Sequence, residues 1–446
     1  MKQTLISGAT LVNEGKIFAA DVLIEGPFIA AILPPGSRAG TAGVVDASGK
    51  LLIPGVIDDQ VHFRDPGLTH KADLYTESRA AIAGGITSFM EMPNTSPQTV
   101  TQELLEEKYT LGHQKSLANF SFYMGTTNDN LSEILRTPPS TVCGIKVFMG
   151  ASTGNMLVDD PKTLEGIFAG APCLVAVHCE DESLIRGNLA RYKERYGEAS
   201  PVEMHPLIRS HEACLKSSSL AIEMARSFNT RLHVLHLSTA AETGLFDNRI
   251  PLTEKKITAE VCVHHLWFTD ADYSERGNLI KWNPAVKTLT DREALWEALL
   301  DDRLDVVATD HAPHTLAEKG NPYGSCPSGA PMVQHSLVAM LERVRKGRIS
   351  LEKVVEKMCH APAECFRIEK RGFLREGYYA DLVLLEDCTT PWTVERENLL
   401  YKCGWSPMEG VSFHSRITHT WVSGHLAFEN GRFDESRKGM RLTFQR

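Results

Sequence analysis

No stretch of the sequence approaches the ~18–20 consecutive apolar residues that a membrane-spanning helix needs, so no helical span is expected. Cys-x-x-Cys pairs are also missing. The ten cysteines stand singly, which argues against a zinc ribbon, a redox pair or a dense disulfide framework and leaves reduced, mostly buried thiols. Positive charge is in deficit: 47 Lys and Arg face 56 Asp and Glu, a formal charge of −9. The basic face that nucleic acid or an anionic membrane would require is therefore not expected. The opening MKQTLISGATLVNEGKIF reaches polar Asn13 and Glu14 before any long apolar core forms, so it does not read as a secretory signal, and a cytoplasmic location is expected. There is no internal repeat and no low-complexity tract.

What is present is a globular chain. Its 446 residues, 42% hydrophobic and 23% charged, make about three typical domains' worth of length, enough for one large barrel with a satellite. Between about 53 and 369, β-rich runs alternate with helical patterns. Strands are expected at 56–62, 88–92, 119–125, 144–150, 173–178, 231–237, 258–264 and 305–310, with helices at 73–83, 101–113, 182–196, 204–227 and 291–300 between them. Runs such as CLVAVH and DVVAT are continuously apolar, as in parallel strands buried on both faces. Eight such strands point to an α/β fold, a (β/α)8 TIM barrel over 53–369, with a doubly wound open sheet as the alternative. The two ends, 1–52 and 370–446, read as short strands broken by Gly and Pro. Neither can bury a core alone, so they are expected to pair into one composite β-sandwich beside the barrel.

In such a barrel, reactive groups sit at the C-terminal ends of the strands. His62 and Arg64 follow strand one, and Asn94 follows strand two. Lys146 lies inside strand four, His178 ends strand five, His236 closes strand six, and Asp310 and His314 follow strand eight. Taken singly, each is an ordinary hydrogen-bonded strand end, and TDHAPH could merely cap a loop. Together the histidines and the aspartate form an N/O ligand set suited to Zn²⁺ or a similar divalent ion. His70, His113, His205, His233, His264, His265, His335 and the three C-terminal histidines lack that placement and read as structural. His311 reads as a surface or supporting residue, and the Gly/Pro-rich loop 319–331 as a substrate-binding element. Lys146 sits between apolar Ile145 and Val147, where a charged ammonium is costly. Two outcomes stay open: a neutral amine that reacts with CO₂ to give a metal-bridging carbamate, or a lysine that reaches the barrel mouth to bind an anion.

The run PGVIDDQVHFRDPG (54–67) resembles the opening signature of the amidohydrolase superfamily, and MEMPNT (90–95), GIKVFMG (144–150), VHCEDE (177–182), HVLHLS (233–238), KWNP (281–284) and TDHAPHT (309–315) follow in family order. The set is similar to the class I dihydroorotases, and the resemblance covers essentially the whole chain. It implies a small-molecule enzyme interconverting carbamoyl aspartate and dihydroorotate, with His62, Lys146 (as N6-carboxylysine), His178, His236 and Asp310 as metal ligands. It further implies Asp310 as proton shuttle, Arg64, Asn94 and His314 as contacts to the substrate carboxylate, and Asn283, Ser328 and Gly329 as contacts to the pyrimidine ring. A homodimer is the default assembly.

One position departs from the pattern. The first histidine of the strand-one H-x-H is glutamine, Gln60, whose neutral amide oxygen is a weak zinc ligand. One firmly held zinc at His178 and His236 is expected, and a second position, at His62, Lys146 and Asp310, of doubtful occupancy. Two other readings fit the same residues: an allantoinase or hydantoinase, and an inactive dihydroorotase-like scaffold for a partner such as aspartate transcarbamoylase.

Overall fold

The computed structural model describes residues 3–38, 40, 42–150, 155–197 and 200–446. Eight parallel strand positions alternate with helices. Strand one is Val56–Val61 and strand two Ile86–Glu91. Strand three is Asn119–Phe122, continued by Met124–Gly125, and strand four is Ile145–Phe148. Strands five to eight are Val175–His178, Leu232–Val234, Ile257–Cys262 and Val306–Ala308. Strands one to three form one parallel ladder, and Met124–Gly125 through strand eight another. The chain itself joins the two ladders at residue 123. At the other seam Val61 bridges His311, and His62 N–H donates to the His311 carbonyl at 2.7 Å. This is an arrangement of the TIM-barrel type. Every residue of strands four and five is buried, which is why VAVH and IKVF carry no polar face beyond the functional Lys146 and His178.

The helices start where the sequence offers caps. Asp73 and Thr76 form a reciprocal capping box ahead of Leu74–Ala83, and Thr101 caps Gln102–Lys115. The single helix expected over 204–227 is broken. Pro206 sits in the first turn of the short His205–Ile208, and Ser210 then caps a separate His211–Phe228.

The terminal segments do pair with each other, and all nine of their strands lie in one hydrogen-bonded sheet. The link is Leu51–Pro54, parallel to Gln3–Asn13 on one side and antiparallel to Leu382–Thr393 on the other. Ile6, Leu11, Val22, Leu52, Leu384 and Trp421 fill its core. Only Gly55 separates this sheet from strand one. A Cβ there would stand 2.0 Å from Thr87 Oγ1, so the close crossing into strand one requires glycine. All ten cysteines are free and eight are buried, and among the described residues no helix is long and apolar enough to cross a membrane.

Candidate active site

Gln60, His62, Arg64, Asn94, Lys146, His178, His236, Asn283, Asp310, His314, Ser328 and Gly329 all line one cavity of about 220 Å³, with Phe148, Ala312 and Pro327 completing its wall. The cavity lies at the C-terminal ends of the strands. Three of its polar residues leave their strands in the left-handed region, Arg64 at φ 69°, His236 at 40° and Asp310 at 45°. Non-glycine residues rarely hold that conformation, and it re-aims these side chains out of the strand direction.

Two groups of metal-ligand atoms face each other. In one, His178 Nδ1 stands 3.0 Å from His236 Nε2. His178 Nε2 meets Glu180 Oε2 at 2.9 Å, and Arg209 grips the same carboxylate. Burial opposes the charge on Glu180, yet Arg209 and His178 bring its pKa down to about 2. An ionised carboxylate at Nε2 keeps the proton there and leaves a lone pair on Nδ1, the second-layer support usual for metal-bound histidine. His236 Nδ1 has no partner. With its proton on Nδ1, His236 turns a second lone pair to the same point. Lys146 Nζ is buried without a hydrogen-bond partner 4.5 Å from the Phe148 ring, and burial lowers its pKa to about 7. An unpartnered amine with so lowered a pKa, lining the same cavity as the two imidazoles, fits a site for a divalent cation.

The other group is different. His62 Nε2 lies 3.2 Å from Asp310 Oδ1, and Gln60 Nε2 donates to the same oxygen at 3.3 Å. His62 Nδ1 is 2.8 Å from Asn94 Oδ1. Where a second histidine would offer a lone pair, Gln60 offers a donor and turns its own oxygen to Cys262 Sγ at 3.6 Å.

The cavity's far end is cationic. Arg64 Nε donates to the Pro313 carbonyl at 3.1 Å, and its Nη2 stands 3.1 Å from His314 Nε2. His314 Nδ1 accepts from Lys71 at 3.0 Å, and Nε2 also reaches the Ser328 carbonyl at 3.0 Å. Burial, then Arg64, Lys71 and Lys319, hold its imidazole neutral by pushing its pKa far down. The loop carrying Ser328 and Gly329 is staked by two buried lysines. Lys319 Nζ donates to the Pro327 and Gly329 carbonyls at 3.0 and 2.9 Å, and Lys281 Nζ to that of Tyr323 at 2.8 Å. Asn283 Oδ1 is buried without a partner.

Every site residue expected from the sequence thus reaches the cavity. Glu180, Lys71, Phe148, Lys281 and Lys319 were not among them. Glu180 carried a signal, two places after His178 in VHCEDE. His311 is no surface residue: it is fully buried, its Nε2 pairing with Glu77 at 2.9 Å and its Nδ1 accepting from Met332 N–H at 2.9 Å. His233 lies outside the cavity lining, 3.1 Å from Asp59 and 3.3 Å from Glu260. Against burial, these carboxylates raise its pKa to about 9.

A barrel-type fold with imidazole, lysine and carboxylate groups at one rim defines a metal-dependent cyclic amidohydrolase. The Amidohydrolase family model matches residues 199–427 and the Dihydro-orotase-like model residues 49–135. A dihydroorotase from Pyrococcus abyssi is 33% identical, the match covering 88% of this chain and 87% of the relative. One from Halobacterium salinarum is 32% identical over 87% and 89%. An allantoinase from Solibacter usitatus is 32% identical over 96% and 94%. Among solved structures, an L-hydantoinase (dihydropyrimidinase) from Arthrobacter aurescens superposes with TM-score 0.93 at 27% identity, covering 99% of this chain and 100% of the other. The chain belongs to the dihydroorotases of the amidohydrolase family.

Proposed function

We propose that the chain catalyses the reversible, metal-dependent hydrolysis of the cyclic amide of dihydroorotate to N-carbamoyl-aspartate, in de novo pyrimidine synthesis. One observation carries the reading: a single small cavity holds both a metal-ready His178–His236 pair and a cationic end built on Arg64. A carboxylate is what distinguishes dihydroorotate from an uncharged cyclic amide such as hydantoin.

His178, His236 and Lys146, the last as N6-carboxylysine, would hold one zinc ion. Gln60 leaves the position at His62, Lys146 and Asp310 weak or empty. When bound, the cation lowers the pKa of a water toward ~7 and polarises the ring carbonyl. Both hydrogen bonds to Asp310 fall on Oδ1, so Oδ2 is left to accept the proton and pass it to the departing ring nitrogen. Arg64 grips the carboxylate through its planar fork, with Asn94 and His314 beside it. Asn283 Oδ1, unpartnered, would accept from a ring N–H, and the 328–329 backbone would meet the ring amide. The two ladders are read as one closed (β/α)8 barrel over 53–369, with 1–52 and 370–446 as the composite β domain, in a cytoplasmic homodimer.

Turnover of dihydroorotate, allantoin and hydantoin by the same purified sample tests this. Ring opening of dihydroorotate well above the other two is expected. Preference for allantoin or hydantoin, or no ring opening of any, overturns it.

A further inference from the structure

We propose that Cys262, His264 and His265 form a second metal site, a closed sulfur–nitrogen set for a zinc-like divalent ion, behind the wall of the catalytic cavity. Cys262 ends strand seven, and the histidines lie in the first turn of the helix Val263–Trp267 that follows. One ligand atom from each lies within 4.8 Å of the other two, and all three residues are buried.

The hydrogen bonding of this cluster is incomplete in a way that a cation would complete. His265 Nε2 faces the Pro284 carbonyl at 3.2 Å. That nitrogen must carry the proton, so Nδ1 is a lone pair, and it finds no donor. His264 meets the Thr309 backbone, with neither nitrogen in a well-formed hydrogen bond, and its ring is locked against Trp282 with centroids 4.0 Å apart. Burial keeps both imidazoles neutral. Buried polar groups are almost always paired, so several orphans at one point call for an occupant. A carbonyl behind one histidine nitrogen and an open lone pair on the other is the arrangement that orients a ligating imidazole.

Gln60 brings a fourth atom. Its Nε2 is committed to Asp310 Oδ1, so its Oε1 must face Cys262 Sγ, 3.6 Å away. Glu260 Oε1 lies 3.9 Å from the same sulfur, and together with burial, Glu260, Asp310, Asp58 and Asp59 hold the thiol well above its ordinary pKa. Binding a dication here replaces the S–H proton, which leaves to solvent, and forms one metal–thiolate bond, with no change of oxidation state. Thiolate and imidazole ligands select zinc over magnesium or calcium.

The test is the absorption spectrum of the cobalt(II)-loaded protein together with metal counted per chain. A thiolate ligand gives a near-ultraviolet charge-transfer band that the nitrogen and oxygen ligands of the catalytic cavity cannot give. The band is expected in the wild type. C262S should abolish it and remove one metal equivalent, whereas H178A should lose a different equivalent and keep the band. No band in the wild type overturns the proposal without recourse to any variant. A band or a full metal count persisting in C262S overturns it too. None of these outcomes depends on dihydroorotate being the substrate.

Discussion

Replacing Arg64 with methionine separates substrate binding from metal binding. Arg64 is 6% exposed, and its Nε donates to the Pro313 carbonyl at 3.1 Å, so little reorganisation precedes substrate capture. Hydrogen bonds to charged groups contribute about 1.5–3 kcal/mol each, so losing a two-pronged grip on a carboxylate should cost roughly 3–6 kcal/mol. At ~1.4 kcal/mol per decade this is about 10²–10⁴ in kcat/KM. Most of the loss should appear in KM, because the grip exists before and during ring opening alike. Metal content should stay at the wild-type value, since Arg64 offers no ligand atom. R64K should recover only part, an ammonium being unable to copy the fork. Steady-state kinetics on dihydroorotate with metal analysis of the same preparation decides it. Unchanged KM, or loss of metal, would refute the carboxylate role.

Other perturbations follow from the same geometry. E180Q removes the charge that holds the His178 proton on Nε2, and metal affinity in competition with a chelator should fall about 10–100-fold. The pKa of Glu180 falls on folding from 4.5 to about 2, so its stabilisation is whole above pH 4.5 and disappears as pH falls toward 2. That amounts to about 3 kcal/mol, readable as the pH dependence of urea unfolding in wild type but not in E180Q. Q60H made in the C262S background should restore a lone pair beside His62 and raise metal per chain by one equivalent over C262S alone; an unchanged count would show that Gln60 is not what weakens that position. G329A forces a Cβ to 2.4 Å from the Ala312 carbonyl at φ +124°, and should raise KM through a displaced loop while the His178–His236 pair keeps its metal. Intact mass at neutral pH should show Lys146 carrying one carbon dioxide, an adduct absent from K146A.

The barrel strands and the catalytic rim were legible because burial leaves few choices. A run such as VAVH tolerates a polar residue only where the strand ends in something that uses it, and His178 stands there. Lys146 stood out for the same reason, an amine within IKVF. The supporting residues were harder to see. Lys71 acts across the fold on His314, and Lys319 on the Gly329 carbonyl within its own loop, and no periodicity marks such contacts. His311 was placed at the surface or in a supporting role, and only the second holds. Its neighbours Asp310 and His314 face the cavity, but it bridges to Val61 across the seam, which turns its ring inward to Glu77.

The most direct measurement is anomalous diffraction at the zinc edge from crystals of the active protein. The account predicts a peak within bonding distance of both His178 Nδ1 and His236 Nε2, with the modified Lys146 beside it. A protein that opens dihydroorotate with no metal between those two imidazoles would contradict it.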